Sequence, residues 1–152
     1  MQYWLMKSEP DTYGIDDLKR FKVDHWDGIR NYQARNFMRK DMKKGDKAFF
    51  YHSNCDEPGI VGIMEIAREA YPDHTAFDPK DKHFDDKSNP DNPRWFMVDV
   101  KFVRKLKRNI TLRELKTYKS LAGMRLLKKG NRLSIMPVTK REWDFILKLE
   151  SK

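Results

Sequence analysis

The chain has 152 residues, enough to bury a core without disulfides or metal and suited to a single domain over 1–152. Its composition, 39% hydrophobic, 36% charged and 12% aromatic, is polar for a folded protein, yet the aromatics and periodic segments exclude a disordered chain. The formal net charge is +9, with 16 Lys plus Arg against 4 Asp plus Glu in residues 101–152 and 16 against 19 in residues 1–100, a polarised excess that suits nucleic acid and excludes an acidic, solvating chain.

Tyr3 to Lys7 alternates aromatic and aliphatic residues and stops at Ser8-Glu9-Pro10, which predicts a strand ended by proline. Gly14 to Phe21 places Ile15, Leu18 and Phe21 at helical spacing, with Asp16 and Asp17 in the first turn. Asp27-Gly28 marks a turn, and a second helix is expected from Asn31 to about Met42, ended by Lys44-Gly45-Asp46. Ala48 to His52 and Ile60 to Ile66 read as strands joined by SNCDEPG. Both are almost continuously apolar, which implies burial on both faces or a closed barrel.

Pro72 to Pro93 carries four prolines and no apolar period, so a long surface loop is expected, as a lid or an insertion. Trp95 to Leu106 alternates as a long strand. A short helix from Thr111 to Tyr118 is expected, with Thr111 and Glu114 as a capping box. Leu133 to Met136 reads as a strand, and Thr139 opens a last helix packed through Trp143, Ile146, Leu147 and Leu149. Strands and short helices without regular βαβ alternation favour an α+β domain with a small curved or barrelled sheet.

The densest chemistry lies in WDGIRNYQARNF, residues 26–37. Trp26, Tyr32 and Phe37 offer flat faces, Arg30 and Arg35 cationic forks, and Asn31, Gln33 and Asn36 paired donors and acceptors. That mixture suits a nucleobase or a nucleotide. Metal and nucleophile readings fare worse. No HExxH or paired CxxC spacing is present, no cofactor motif appears, and Gly45, Gly59 and Gly62 do not form a phosphate loop. Cys55, the only cysteine, excludes an internal disulfide; His52 precedes it by three residues, but no oxyanion donor or third orienting group accompanies the pair. No apolar run reaches the length of a signal peptide or membrane span. No membrane partner is expected, and the compartment expected is intracellular, cytoplasmic for a bacterial chain or nuclear for a eukaryotic one.

Six blocks in order, YWLMKSEP (3–10), WDGIRNYQARNF (26–37), FFYHSN (49–54), EPGIVG (57–62), AYPDHT (70–75) and RLSIMPVT (132–139), closely resemble the EVE domain. The resemblance covers nearly the whole chain. It implies a PUA-like α+β fold, related to the ASCH, PUA and YTH domains: a five- or six-stranded barrel-like mixed sheet with short helices around it and a pocket on one side. It also implies a reader of modified bases in DNA or RNA, particularly modified cytosines.

By the same resemblance, Lys7, Ser8 and Glu9 match the segment that lines the base pocket of YTH domains, and Trp26 matches their first cage tryptophan. YTH proteins usually carry Asn at the position of Glu9. A carboxylate there only accepts hydrogen bonds, which suits a base with an exocyclic amine. Ser8, Glu9 and Asn31 are the expected readers of the base edge, and Tyr51, His52 and Ser53 neighbours of the strand end. Arg30, Arg35 and Arg132 are the expected phosphate contacts. For Ser8, Glu9 and Asn31 the alternative is a capping and turn network around Pro10; for the arginines, surface ion pairs. An enzyme acting on a modified base, with Glu9 or His52 as acid or base, and a small-molecule or protein-interaction domain are the competing functions.

Overall fold

In the computed structural model, which describes residues 1–152, the alternating YWLMKS run forms β1 (Tyr3–Ser8). Trp4 and Met6 enter one apolar cluster and Leu5 enters another on the opposite face. α1 (Ile15–Phe21) follows, then β2 (Val23–Trp26), α2 (Tyr32–Asn36), β3 (Lys47–His52), β4 (Gly59–Pro72), β5 (Phe96–Thr111), α3 (Leu112–Leu115), β6 (Ile135–Val138) and α4 (Lys140–Leu149). All six strands share one sheet in the order β2-β5-β4-β3-β1-β6. β1 and β3 run parallel, and every other neighbouring pair is antiparallel.

The sheet is mixed and helix-covered as expected, but it is open and not a barrel. β2 and β6 are its two edges, and no ladder joins them. The continuous apolar runs that suggested closure have a different cause, because both faces are covered. Phe50, Met64 and Ile66 pack with α1 and the α2 segment, through Ile15, Leu18, Ala34 and Met38. Phe49, Ile60 and Ile63 pack on the other side with Trp143, Ile146 and Leu149 of α4. Burying both faces removes the period-two signal whether or not the edges meet.

Other departures have local causes. β2 was not foreseen, because VDHW is too short and polar for an alternation signal; it exists by pairing Val23–Trp26 with β5. The second helix is α2 followed by a π-helical stretch, Phe37–Asp41, in which Met42 N–H bonds the Phe37 carbonyl. β4 and β5 outrun their apolar segments, with several register shifts that bend the ribbon. At α3 only half of the capping box forms. Thr111 accepts the Glu114 N–H, but the Glu114 carboxylate is taken by Arg108 and Tyr118. Thr139 and Glu142 make the full box at α4.

Packing of α1 on the sheet requires Gly62. A Cβ there would lie 2.5 Å from Ile15 Cδ1. The helix start is held by two bonds to its first amides: Gly14 N–H donates to Asp17, and Ile15 N–H donates to His52 Nε2 at 3.1 Å. This seats α1 over the ends of β1 and β3, beside the molecule's main cavity.

Candidate functional site

The cavity, about 760 Å³, opens where β1 and β2 end. One wall comes from the sheet and its connections: Lys7 and Ser8 of β1, Glu9, Thr12 and Tyr13 of the following loop, Asp24, His25 and Trp26 of β2, then Asp27, Gly28 and Ile29. The other wall is Lys80, Asp81, Lys82 and His83, with Ser134 closing one side. Only 3 of its 16 lining residues are hydrophobic. Such a site suits a polar ligand with a small apolar face.

The sheet wall is tied together by short polar contacts. Ser8 Oγ donates to the Tyr13 carbonyl at 2.6 Å, and Tyr13 Oη donates to Asp24 Oδ2 at 2.7 Å. Asp24 Oδ1 accepts the His25 N–H at 2.8 Å. Burial first, and the Asp24 carboxylate second, push the Tyr13 hydroxyl far above its usual range, so it stays a proton donor. Asp24 thus keeps acceptor capacity toward the cavity beyond these two bonds. Burial also lowers the pKa of Lys7, whose ammonium lies 5.8 Å from the Tyr51 ring centroid.

Trp26 lies at the end of β2, only 7% exposed, with its ring edge-on to Phe50 at 5.4 Å. It is both core and cavity lining. Beyond it the chain turns at Gly28, whose φ is +79° and whose Cβ would lie 2.6 Å from the His83 ring. Only glycine satisfies both demands there.

The long segment from Pro72 to Pro93 is a surface loop, as expected, and its start is anchored in the fold. Asp73, Thr75 and Ala76 are buried, and a 3₁₀ turn spans His74–Phe77. Asp73 accepts from Gly28 N–H, Thr75 N–H, Thr75 Oγ1 and Arg30 Nη1. Burial alone would raise its pKa; the bonds from Thr75, Gly28 and Arg30 outweigh that and hold the carboxyl below its usual range. Arg30 completes the clamp, donating to the His83 carbonyl through Nε and Nη2, at 3.0 and 2.7 Å, and to Thr75 and Ile29.

The expected site residues therefore separate. Lys7, Ser8, Glu9 and Trp26 line the cavity together. Arg30 faces inward to the clamp, and Asn31 caps α2 by accepting the Ala34 N–H at 2.9 Å. Arg35 bonds Asn36 and the Arg94 carbonyl and lies 4.7 Å from the Tyr32 ring centroid, which is itself stacked on Trp95. Tyr51 and His52 pair in register with Lys7 and Ser8, and Ser53 N–H bonds the Ser8 carbonyl, but none of the three lines the cavity. Arg132 is exposed two residues from Ser134. Glu9 accepts from Asn54 at the mouth.

Thr12, Tyr13, Asp24, His25 and Ser134, together with the loop wall Lys80–His83, line the cavity without having been expected as site residues. For Thr12, Tyr13, Asp24 and His25 the only signal was nearness to Ser8 or Trp26, for Ser134 its place in the RLSIMPVT block, and for Lys80–His83 there was none. His52 is occupied by the Ile15 N–H and is held below its usual pKa, chiefly by burial. It is not a free base for Cys55. No group of three or more His, Cys, Asp or Glu is placed to hold a metal ion, and no helix is long and apolar enough to cross a membrane.

The EVE domain family model matches residues 2–149. The chain belongs to the EVE domain family. Thymocyte nuclear protein 1 of Homo sapiens is 52% identical, over 99% of this chain and 74% of its own length. The crystal structure of human THYN1 in complex with 5-methylcytosine-containing DNA aligns with a TM-score of 0.95 at 51% identity, covering 100% of this chain and 99% of that one. A crystal structure from Pseudomonas syringae aligns with a TM-score of 0.94 at 50% identity, covering 97% of this chain and 99% of that one. The open sheet, its two covering layers and the cavity are thus those of an EVE domain.

Proposed function

We propose that this EVE domain is a nucleic-acid-binding module that takes a modified cytosine into the cavity between β1 and β2. The observation that carries this reading is the cavity's composition: Trp26 beside Ser8, Lys7 and a carboxylate, Asp24, that retains acceptor capacity. The human relative crystallised with 5-methylcytosine-containing DNA supports the choice of base.

The chemistry follows from the groups of the base. Cytosine presents an exocyclic amine, a donor, and Asp24 accepts it, with Glu9 at the mouth as a second acceptor. Its ring nitrogen and carbonyl are acceptors, met by the Lys7 ammonium, whereas the Ser8 hydroxyl, whose proton goes to the Tyr13 carbonyl, is left as a further acceptor for the amine. A methyl substituent is apolar and belongs against Ile29 or Trp26. Trp26 provides the stacking surface, a contact worth about 1–3 kcal/mol per base. A cavity of this kind cannot reach a stacked base, so the nucleotide enters flipped out or from a single strand. Arg35 and Arg132 hold the backbone, whereas Arg30 shapes the wall. The compartment follows the nucleic acid: nuclear in a eukaryote, as the human relative's name states for that protein, and cytoplasmic in a bacterium.

The test is a titration of labelled oligonucleotides that differ only in one central cytosine, plain or 5-methylated. Trp26→Ala is expected to lose most of the base-dependent affinity, roughly 5- to 150-fold from the lost stacking. Thermal melting of the variant separates that loss from unfolding, since Trp26 is also core. Unchanged discrimination in a folded variant would remove Trp26 from the site.

A further inference from the structure

A second cavity lies outside the base site. It is a groove of about 430 Å³ lined by Gln33, Arg125, Lys128, Lys129, Gly130 and Asn131, with no hydrophobic residue. Its setting is unusual in charge. From Lys116 to Arg141 the chain has eight Lys and Arg and no Asp or Glu. Several other cations of the basic C-terminal third are spent on the fold: Arg104 pairs with Glu150, Lys105 with Asp16, Arg108 with Glu114, Arg113 with Glu57 and Lys140 with Asp144. Arg125, Lys128, Lys129 and Arg132 are exposed and lie outside all of these ion pairs.

The groove's loop is built rather than loose. Asn131 Nδ2 donates to the Arg125 carbonyl at 2.6 Å, Asn131 Oδ1 accepts the Leu133 N–H, and Gly130 turns the chain at φ +79°. The Arg125 guanidinium lies 5.7 Å from the ring centroid of Phe37, at the start of the π-helical stretch after α2. From Asn131 the chain passes Arg132 to Ser134, a wall of the base cavity whose carbonyl accepts the Lys7 N–H. Three residues span at most about 11 Å even when fully extended. Lining residues of the groove and of the base cavity therefore lie within about 11 Å of each other.

We infer that this groove seats the sugar-phosphate backbone of the strand flanking the cavity base, with Lys128, Lys129 and Arg132 as its phosphate contacts. The inference rests on the proposed base-reading function and adds the path of the strand. Phosphate contacts fix register and orientation but carry no base information, so groove and cavity divide the work between affinity and discrimination. Exposed cations without carboxylate partners release counterions on binding, whereas Arg104, Lys105 and Arg108 of β5 are already neutralised within the fold.

The experiment uses the full chain with Lys128, Lys129 and Arg132 all changed to Ser, and single-stranded DNA carrying one plain or one 5-methylated cytosine. Affinity is measured from about 50 to 200 mM salt. The expected result is an equal loss for both oligonucleotides, at least about tenfold at the low-salt end, and a log–log salt slope shallower by about 2, from roughly 0.7 per contact on a single strand. Lys101→Ser removes an exposed cation from β5, which three strands separate from β6 in the sheet, and is expected to leave the slope unchanged. An unaltered slope in the triple variant overturns the groove, even where the wild type prefers the methylated base. A shallower slope with no preference in the wild type overturns the cavity reading and leaves the groove standing.

Discussion

The two walls of the base cavity are held by different means. The sheet wall rests on backbone ladders, β1 between β3 and β6, and β2 on β5, with the Ser8–Tyr13–Asp24 chain added on top. The loop wall carries no strand. It is organised by one buried carboxylate, Asp73, and one guanidinium, Arg30, which between them bind Gly28, Ile29, Thr75 and His83. Ladders distribute support over many bonds, so a single substitution weakens them little. A clamp concentrates it, and its loss is felt at once.

The contrast predicts the largest effect at Asp73. Asp73→Ala leaves Arg30 without its partner and is expected to destabilise the protein by about 3–5 kcal/mol, read in denaturant unfolding. The sign with pH follows from its depressed pKa. Its stabilisation is fully present above the ordinary value of 3.8 and is lost as pH falls through the lower folded value, so wild type and variant converge in strong acid. Equal stabilities at neutral pH would show that the loop wall does not depend on the clamp.

Tyr13→Phe probes the sheet wall and is expected to act more gently. Loss of a hydrogen bond to a carboxylate weakens stability by about 1.5–3 kcal/mol. The freed Asp24 oxygen remains at the cavity, so binding of the plain and methylated oligonucleotides should shift together. A change confined to one of them would make Tyr13 itself a reader of the base.

The smallest effect is expected at His52. Its pKa is depressed, so the unfolded chain takes up the proton first, and stability falls as pH drops from 6.5 toward the folded value. His52→Gln should flatten that part of a stability–pH curve. A slope left intact by the substitution would assign the titration to another group.

What was legible in the sequence was whatever rests on near neighbours. The ends of β1, α1 and α4 follow from alternation, helical spacing and caps such as Thr139 with Glu142. Long-range partnerships carry no such signal. Arg30 reads as a phosphate fork until Asp73, 43 positions away, is placed beside it. Asn31 reads as a base contact until it is seen capping α2. Asp24 was passed over because β2 exists only through β5. The open sheet was hidden for a related reason: an apolar strand records that both faces are covered, but not by what.

β2 has one further consequence. As an edge strand of four residues, it is held on one side only, by β5, yet it carries both Asp24 and Trp26. The residues proposed to meet the base thus sit on one of the least anchored strands of the sheet, where local opening costs less than global unfolding. A nucleotide bridging β2 to Ser8 and Lys7 of β1 would supply the support that the free edge lacks. Occupancy of the cavity would then be recorded as slowed amide exchange along Val23–Trp26, making this edge a local reporter of whether a base is bound.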